Sequence, residues 1–375
     1  MFKDYKEKIN ALKKQNLYRN IVNSEAINAT KIKYNSKMAI SFASNDYMGL
    51  SQNKIIKKTA ISAIKKYGVG AGASRFIIGN NQLYGKLENL IAEFYQMPKA
   101  LVFSSGYMTA LGVVKALASK DDIIIADKLI HACFIDAAKI SEAKFCRFQH
   151  NSIKHCNEIL QENRDLHRNC LIIIESVYSM DGDVSNIEEF IMLAQKFRAI
   201  LIIDNAHGLD CKFSSSPNLL LMGTLSKTIG ALGGFVAGNT VLIENILQFS
   251  RSLIYSTALP PAILASAIRS FQYLRKTKNS TKAIKNAEYF CELMGLKKPD
   301  SQIIKIIIGD NAKLLKIQKE ILKKGFLVSA IRSPTVMIKS ERLRISFQSE
   351  HKKSQIKKLS IVIKKILADF KIDIS

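Results

Sequence analysis

Two stretches of the chain carry an apolar run that stops abruptly at polar and small residues: LIIDNAHG (201–208) and LLLMGTLSKTIGALGG (219–234). Each reads as a buried strand opening onto a loop. Ligands of open α/β sheets collect at the carboxyl ends of the strands, which puts Asp204, His207, Thr224, Ser226 and Lys227 in one crevice. A lysine held among Ser, Thr and Gly at a strand end is partly desolvated. That lowers its pKa and leaves a neutral amine able to form an imine with an aldehyde. A nearby aspartate can keep a pyridine nitrogen protonated, and such a ring is an electron sink. Taken singly, Lys227 reads rather as an ordinary loop lysine and Asp204 as a helix N-cap.

Two further segments offer backbone suited to an anion. SSGYMTALGVVKAL (104–117) places Ser, Ser and Gly ahead of a helical run, whose free N-terminal amides suit a phosphate. YGVGAGASRFIIGN (67–80) has four glycines in the thirteen residues up to Gly79, enough freedom for close backbone approach to a ligand. It is not a dinucleotide fingerprint, because no acidic residue ends a following strand at the required offset. His131, in DKLIHACFIDAA, sits in a strand-end loop where its ring is placed either to stack on a flat cofactor or to serve as a hydrogen-bonded structural group. Ser179, in ESVYSMDGD, reads as a polar contact or as a turn residue.

The elements that must position these residues alternate. Short Ile, Leu and Val runs predict strands at 100–103, 123–126, 170–175, 200–204, 219–224 and 234–237. Helical periodicity fills 83–94, 108–118 and 187–197. The pattern is that of βαβ units and a mostly parallel, buried sheet. After Pro260–Pro261 come a long helical segment to about Leu274, a Lys/Asn/Ser/Thr-rich stretch at 276–285, and mixed strands and helices to the end. The expected organisation is an N-terminal arm at 1–44, a large domain at 45–258 and a small C-terminal domain at 259–375. No internal repeat or low-complexity tract is present.

With 375 residues, 47% of them hydrophobic, the chain can bury a large core. Its six cysteines are scattered without C-x-x-C pairs or metal-ligand spacing, so neither a disulfide framework nor a metal site is expected, and a reducing cytoplasm fits. No apolar signal core is visible at the N-terminus, and the most apolar later stretch is interrupted by Ser226, Lys227 and Thr228, against secretion or a membrane span. The formal charge of +25 comes from lysines spread along the whole chain, with no nucleic-acid reading motif beside them. Such a charge welcomes an anionic thioester or an acidic carrier protein rather than marking a focused patch.

Together these residues make the chain similar to the α-oxoamine synthases, pyridoxal-phosphate enzymes of fold type I, the aspartate-aminotransferase-like fold. The likeness rests on ten collinear segments: FASNDYMGL (42–50), GVGAGASRFIIGN (68–80), LVFSSGYMTA (101–110), DKLIHACFIDAA (127–138), ESVYSMDGD (175–183), DNAHG (204–208), TLSKTIGALGG (224–234), LIYSTALPP (253–261), AIRSPTV (330–336) and RLRISFQSEH (342–351). It implies a large domain with a mostly parallel sheet and a smaller C-terminal α+β domain. It also implies pyridoxal 5'-phosphate as cofactor, with Lys227 as its Schiff-base lysine, Asp204 on the pyridine nitrogen, His207 on the phenolic oxygen and His131 stacked on the ring. Lys227, His131 and His207 would be the catalytic set. Gly106, Tyr107, Ser179 and Thr224 match further cofactor contacts. Ser256 and Thr257 match a segment that reaches the partner subunit's phosphate in a homodimer with a shared site. Asn45 and Arg344 match the holders of the amino-acid carboxylate, and Arg19 and Thr335 match positions near the acyl substrate.

The reaction implied is a decarboxylative condensation of L-alanine with pimeloyl-CoA or pimeloyl-acyl carrier protein, giving 8-amino-7-oxononanoate for biotin synthesis. A sister branch uses glycine with other acyl thioesters; RFIIG (75–79) echoes it, whereas AIRSPTV (330–336) resembles the alanine branch. The chain departs from the family in three places. Asn205 replaces an acidic residue after the cofactor aspartate. LDCKFSSSPNLLL (209–221) replaces a longer glycine-rich stretch. Tyr84 and Asn81 stand where many members carry histidines.

Overall fold

The computed structural model describes residues 2–209, 214, 216–277 and 280–373. Two compact units divide the chain: Met1–Gly49, Ser179–Asp183 and Thr281–Ser375 in the first, Leu50–Tyr178 and Val184–Ser280 in the second. No helix among the described residues is long and apolar enough to cross a membrane.

In the second unit the apolar runs become β1 (Lys99–Phe103), β2 (Ile123–Asp127), β3 (Lys144–Phe148), β4 (Cys170–Glu175), β5 (Ile200–Asp204), β6 (Leu219–Thr224) and β7 (Gly234–Gly238). They form one sheet in the order β1-β7-β6-β5-β4-β2-β3. From β6 to β3 every neighbouring pair is parallel; β7 alone runs antiparallel to β6 and β1. Alternate side chains serve opposite faces. Ile172, Ile174, Leu201 and Ile203 pack with the helices Leu83–Tyr95, Ile187–Lys196 and Pro261–Lys276. Leu171, Ile173 and Ile202 pack with Gly106–Leu117, Ala132–Ser141 and Thr240–Phe249. Both faces are covered, which is why all six residues of β4 are buried and why its sequence is a continuous apolar run.

The first unit has two smaller sheets. Ile303–Ile307, Arg342–Ser346 and Ser329–Ile331 are antiparallel, with Arg342–Ser346 in the centre. Ser24–Ala26, Lys31–Tyr34 and Lys37–Ser41 form a meander that Phe326–Leu327 joins in parallel. The helices Asn311–Lys323 and Lys353–Asp369 close its core through Leu314, Ile317, Ile356 and Ile363. His351 is stacked on Phe42 at 3.9 Å and 12°.

Candidate active site

Parallel strands end on the same edge of the sheet, and here three polar strand ends coincide. Glu175 of β4 lies opposite Asp204 of β5, and Asp204 lies opposite Met222 of β6, two residues before Thr224. Above them is a cavity of about 260 Å³ walled by Ser105, Gly106, Tyr107, His131, Cys133, Glu175, Asp204, His207, Thr224 and Lys227 among others. Eight of the residues expected at the site therefore converge: Gly106, Tyr107, His131, Asp204, His207, Thr224, Ser226 and Lys227.

Lys227 Nζ is 2.8 Å from His207 Nε2. Asp204 is 4% exposed, and its Oδ1 accepts the Ala206 amide at 2.9 Å. Burial raises its pKa, against the opposing pull of Lys227, that amide and His131. Withdrawal from solvent lowers the pKa of His131; Asp204 opposes this and Lys227 adds to it. His131 is therefore neutral at pH 7, consistent with Nδ1 accepting the Cys133 amide at 3.3 Å. The Cys133 thiol, pushed far up chiefly by burial, is not a nucleophile.

Small residues close the wall. Ser105 caps the helix Gly106–Leu117 by accepting the Met108 amide at 3.2 Å, and the helix's first turn lines the cavity. A Cβ on Gly234 would lie 2.7 Å from Gly106 Cα, so glycine there lets β7 and the helix start touch. A Cβ on Gly106 would meet Thr224 at 3.5 Å. Thr224 Oγ1 bonds the Gly233 carbonyl at 2.9 Å and the Ser226 hydroxyl at 2.8 Å, pinning the loop that carries Lys227. Ser256 Oγ donates to Ser104 Oγ at 3.4 Å, next to the cavity wall in sequence, and Thr257 makes a backbone bridge with Ser74.

The other predicted residues lie in the first unit. Arg344, 4% exposed, donates to Asn45 Oδ1 at 3.1 Å, the Ser179 carbonyl at 2.5 Å, Ser346 Oγ at 2.8 Å and Tyr47 OH at 3.4 Å. All four acceptors are neutral, so none of them cancels the guanidinium charge. Ser179 thus contributes its carbonyl to Arg344. Arg19 and Thr335 are exposed, and Arg332 links their segments: its guanidinium bonds the carbonyls of Asn16 and Tyr18, and its own carbonyl accepts the Thr335 amide at 3.0 Å. Glu175 and Cys133, which also wall the cavity, were not singled out in the sequence; the strand-end position of Glu175 and the place of Cys133 two residues after His131, in the first turn of the helix Ala132–Ser141, were the available signal.

Asn205 accepts the Ser176 hydroxyl at 2.6 Å, and a Cβ on Gly208 would lie 1.7 Å from its Oδ1. Tyr84 is buried with its hydroxyl accepting the Leu259 amide at 2.7 Å, and Asn81 accepts the Leu83 amide at 3.0 Å. Residues 210–213 and 215 of the replaced loop lie outside the described residues.

Residues 37–363 match the class I and II aminotransferase family. The 8-amino-7-oxononanoate synthase of Alkaliphilus metalliredigens is 36% identical over an alignment covering 96% of each chain. The chain belongs to the 8-amino-7-oxononanoate synthase family. Among solved structures, SPT with its PLP internal aldimine superposes with a TM-score of 0.90 at 25% identity, covering 99% of this chain and 98% of that one. The 8-amino-7-oxononanoate synthase of Francisella tularensis gives 0.72 at 27%, covering 89% and 99%. Membership makes the chain a pyridoxal-phosphate-dependent α-oxoamine synthase with the fold type I architecture. The cavity fits that cofactor: an amine, a neutral imidazole at the wall, a buried carboxylate and a helix N-terminus face one space.

Proposed function

We propose that the protein condenses L-alanine with a pimeloyl thioester, carried on coenzyme A or acyl carrier protein, with loss of carbon dioxide to give 8-amino-7-oxononanoate. The observation that carries this reading is the convergence of Lys227, His207, Asp204 and His131 on one cavity in a chain 36% identical to enzymes of that name. Bound pyridoxal phosphate supplies an electron sink for negative charge at the amino acid's α-carbon. Lys227 would hold the cofactor through Nζ, and the same nitrogen would take the α-proton of the amino acid. His207, within 2.8 Å of that nitrogen, orients it and shares its proton. Asp204 would keep the ring nitrogen protonated, and neutral His131 would lie against the ring. The first turn of the helix Gly106–Leu117, with Thr224, binds phosphate. Arg344 and Asn45 take the amino-acid carboxylate, a planar anion suited to a guanidinium fork. Arg19 and Thr335 contact the acyl substrate.

We also infer a homodimer, in which Ser256 and Thr257 serve the partner's phosphate. Ile77 and Ile78 are 74% and 77% exposed on the turn beside the Ser74–Thr257 bridge, and Tyr255 is 73% exposed, an apolar surface of the kind that a second subunit covers. Light scattering on the eluting protein tests it, with a monomer mass as the contrary result. For the reaction, the purified protein is mixed with L-alanine or glycine and then with pimeloyl-CoA. A visible-absorbance response to L-alanine, with thiol released only when both substrates are present, is expected. A response confined to glycine moves the protein to the sister branch.

A further inference from the structure

Outside the cavity, a buried polar cluster is built on Asp127, the last residue of β2. Its carboxylate is fully buried, yet it accepts the Leu129 amide at 2.7 Å and the Asn151 amide at 2.8 Å, and lies 3.0 and 3.2 Å from His150 Nδ1. The His150 ring stands edge-on to Tyr178 at 4.4 Å and 89°, and the Tyr178 hydroxyl receives a bond from Ser185, which also bonds Asn151. His150 and these backbone amides hold the Asp127 carboxyl below the usual range despite burial.

The cluster encloses one end of a four-residue loop, 128–131. The Lys128 amide bonds the Phe148 carbonyl at 3.0 Å, the Leu129 amide bonds the Asp127 carboxylate, and the Ile130 amide bonds the Asp127 carbonyl at 3.1 Å. The next residue is His131, which caps the helix Ala132–Ser141 and walls the cavity. Every residue from the strand end to His131 is thereby tied, and Asp127 makes two of the three ties. We propose that Asp127, oriented by His150, is a positioning residue that sets the His131 ring against the cofactor. Neither side chain is among the residues walling the cavity; they act through the loop. The inference rests on the reading of His131 as the ring-stacking group.

The test is spectrophotometric titration of the apoprotein with pyridoxal phosphate, using parent, Asp127→Asn, His131→Ala and the double variant, with apoprotein thermal unfolding as a control. Asp127→Asn is expected to weaken cofactor binding about tenfold, and the double variant to bind no more weakly than His131→Ala alone, the signature of two residues acting through one contact. At equal occupancy, Asp127→Asn is also expected to change the induced circular dichroism of the cofactor band, which general destabilisation would leave alone. Parent-like affinity in a folded Asp127→Asn protein, or losses that multiply in the double variant, would overturn the proposal. If His131→Ala itself binds normally, the stacking role fails instead, whatever Asp127 does. Should Asp127→Asn not fold, His150→Gln serves: it leaves both backbone amides on Asp127 and is expected to give a smaller loss, about threefold, with the same non-additivity. Unchanged affinity and dichroism there would equally reject the idea.

Discussion

At the site, Lys227 Nζ lies 2.8 Å from His207 Nε2, and the charge of Lys227 also opposes the rise that burial imposes on the Asp204 pKa. In the proposed reaction, removing the amine leaves nothing to take the α-proton. Lys227→Ala is expected to lower thiol release from pimeloyl-CoA by about 10³-fold or more, measured in single turnover at saturating L-alanine. A subtler residue is Gly208. An added methyl would collide with the Asn205 amide, so Gly208→Ala is expected to cost about 1–3 kcal/mol, read as a lower thermal midpoint. The same change made on an Asn205→Ala background should cost much less, because the obstructing amide is gone; an equal cost in both backgrounds would show that the strain lies elsewhere. Lys227, His207 and Thr224 were legible in the sequence because each follows an apolar strand run. Asp127 and His150 were not, because their pairing joins residues twenty-three apart across two parallel strand ends and leaves no periodic trace.

Among the elements, the turn Arg75–Gly79 and the helix Leu83–Tyr95 are joined by a clamp. Arg75 binds Glu88 through both carboxylate oxygens at 2.6 and 3.2 Å, donates to the Val102 carbonyl at 3.0 Å and lies 3.9 Å above the Tyr84 ring. Tyr84 in turn holds the Leu259 amide, so the clamp reaches the segment carrying Ser256 and Thr257. With side chains 11% and 15% exposed, the pair is sheltered enough that breaking it strands a charge. Glu88→Gln is expected to destabilise by about 3 kcal/mol, and Arg75→Lys to fail to rescue the fold because ammonium can neither fork nor stack as guanidinium does. Thermal unfolding of both variants checks this. Such contacts between distant segments are what patterning does not reveal. The buried parallel strands from Ile123 to Thr224 were legible because each is a continuous apolar run. Strand Lys144–Phe148 was not: it is the sheet's edge, and Lys144 and Arg147, both exposed on opposite faces, break the run. The meander Ser24–Ser41 hid for the same reason, with most of its residues at least partly exposed.

For the molecule as a whole, the two units differ in how their buried groups respond to acid. His351 in the first unit is held neutral: its Nδ1 accepts the Gln348 amide at 3.0 Å, its Nε2 donates to the Ser41 carbonyl at 2.9 Å, and burial pushes its pKa down to about 4. Between an unfolded value near 6.5 and that folded value the unfolded chain binds the extra proton, so stability falls as pH drops through this window. The full loss is about 3 kcal/mol, from 1.36 kcal/mol per unit. In the second unit burial lowers His131 in the same sense, with Asp204 opposing the shift, while the carboxylates Asp122 and Asp127 are both held below the ordinary range, Asp122 by Arg168 and Ser119, Asp127 by His150 and backbone amides. Their depressed values contribute stability above the unfolded carboxylate pKa, and that contribution is lost only as pH falls further, through the folded values. A chain of formal charge +25 gains more positive charge throughout, which adds self-repulsion to both losses. Hydrogen exchange at pH 7 and pH 5 is therefore expected to show protection falling first around Arg342–Ser346 and Phe42, while the sheet from β2 to β6 stays protected. His351→Gln, which cannot titrate, should remove most of that difference; an undiminished acid response in this variant would place its origin in other groups.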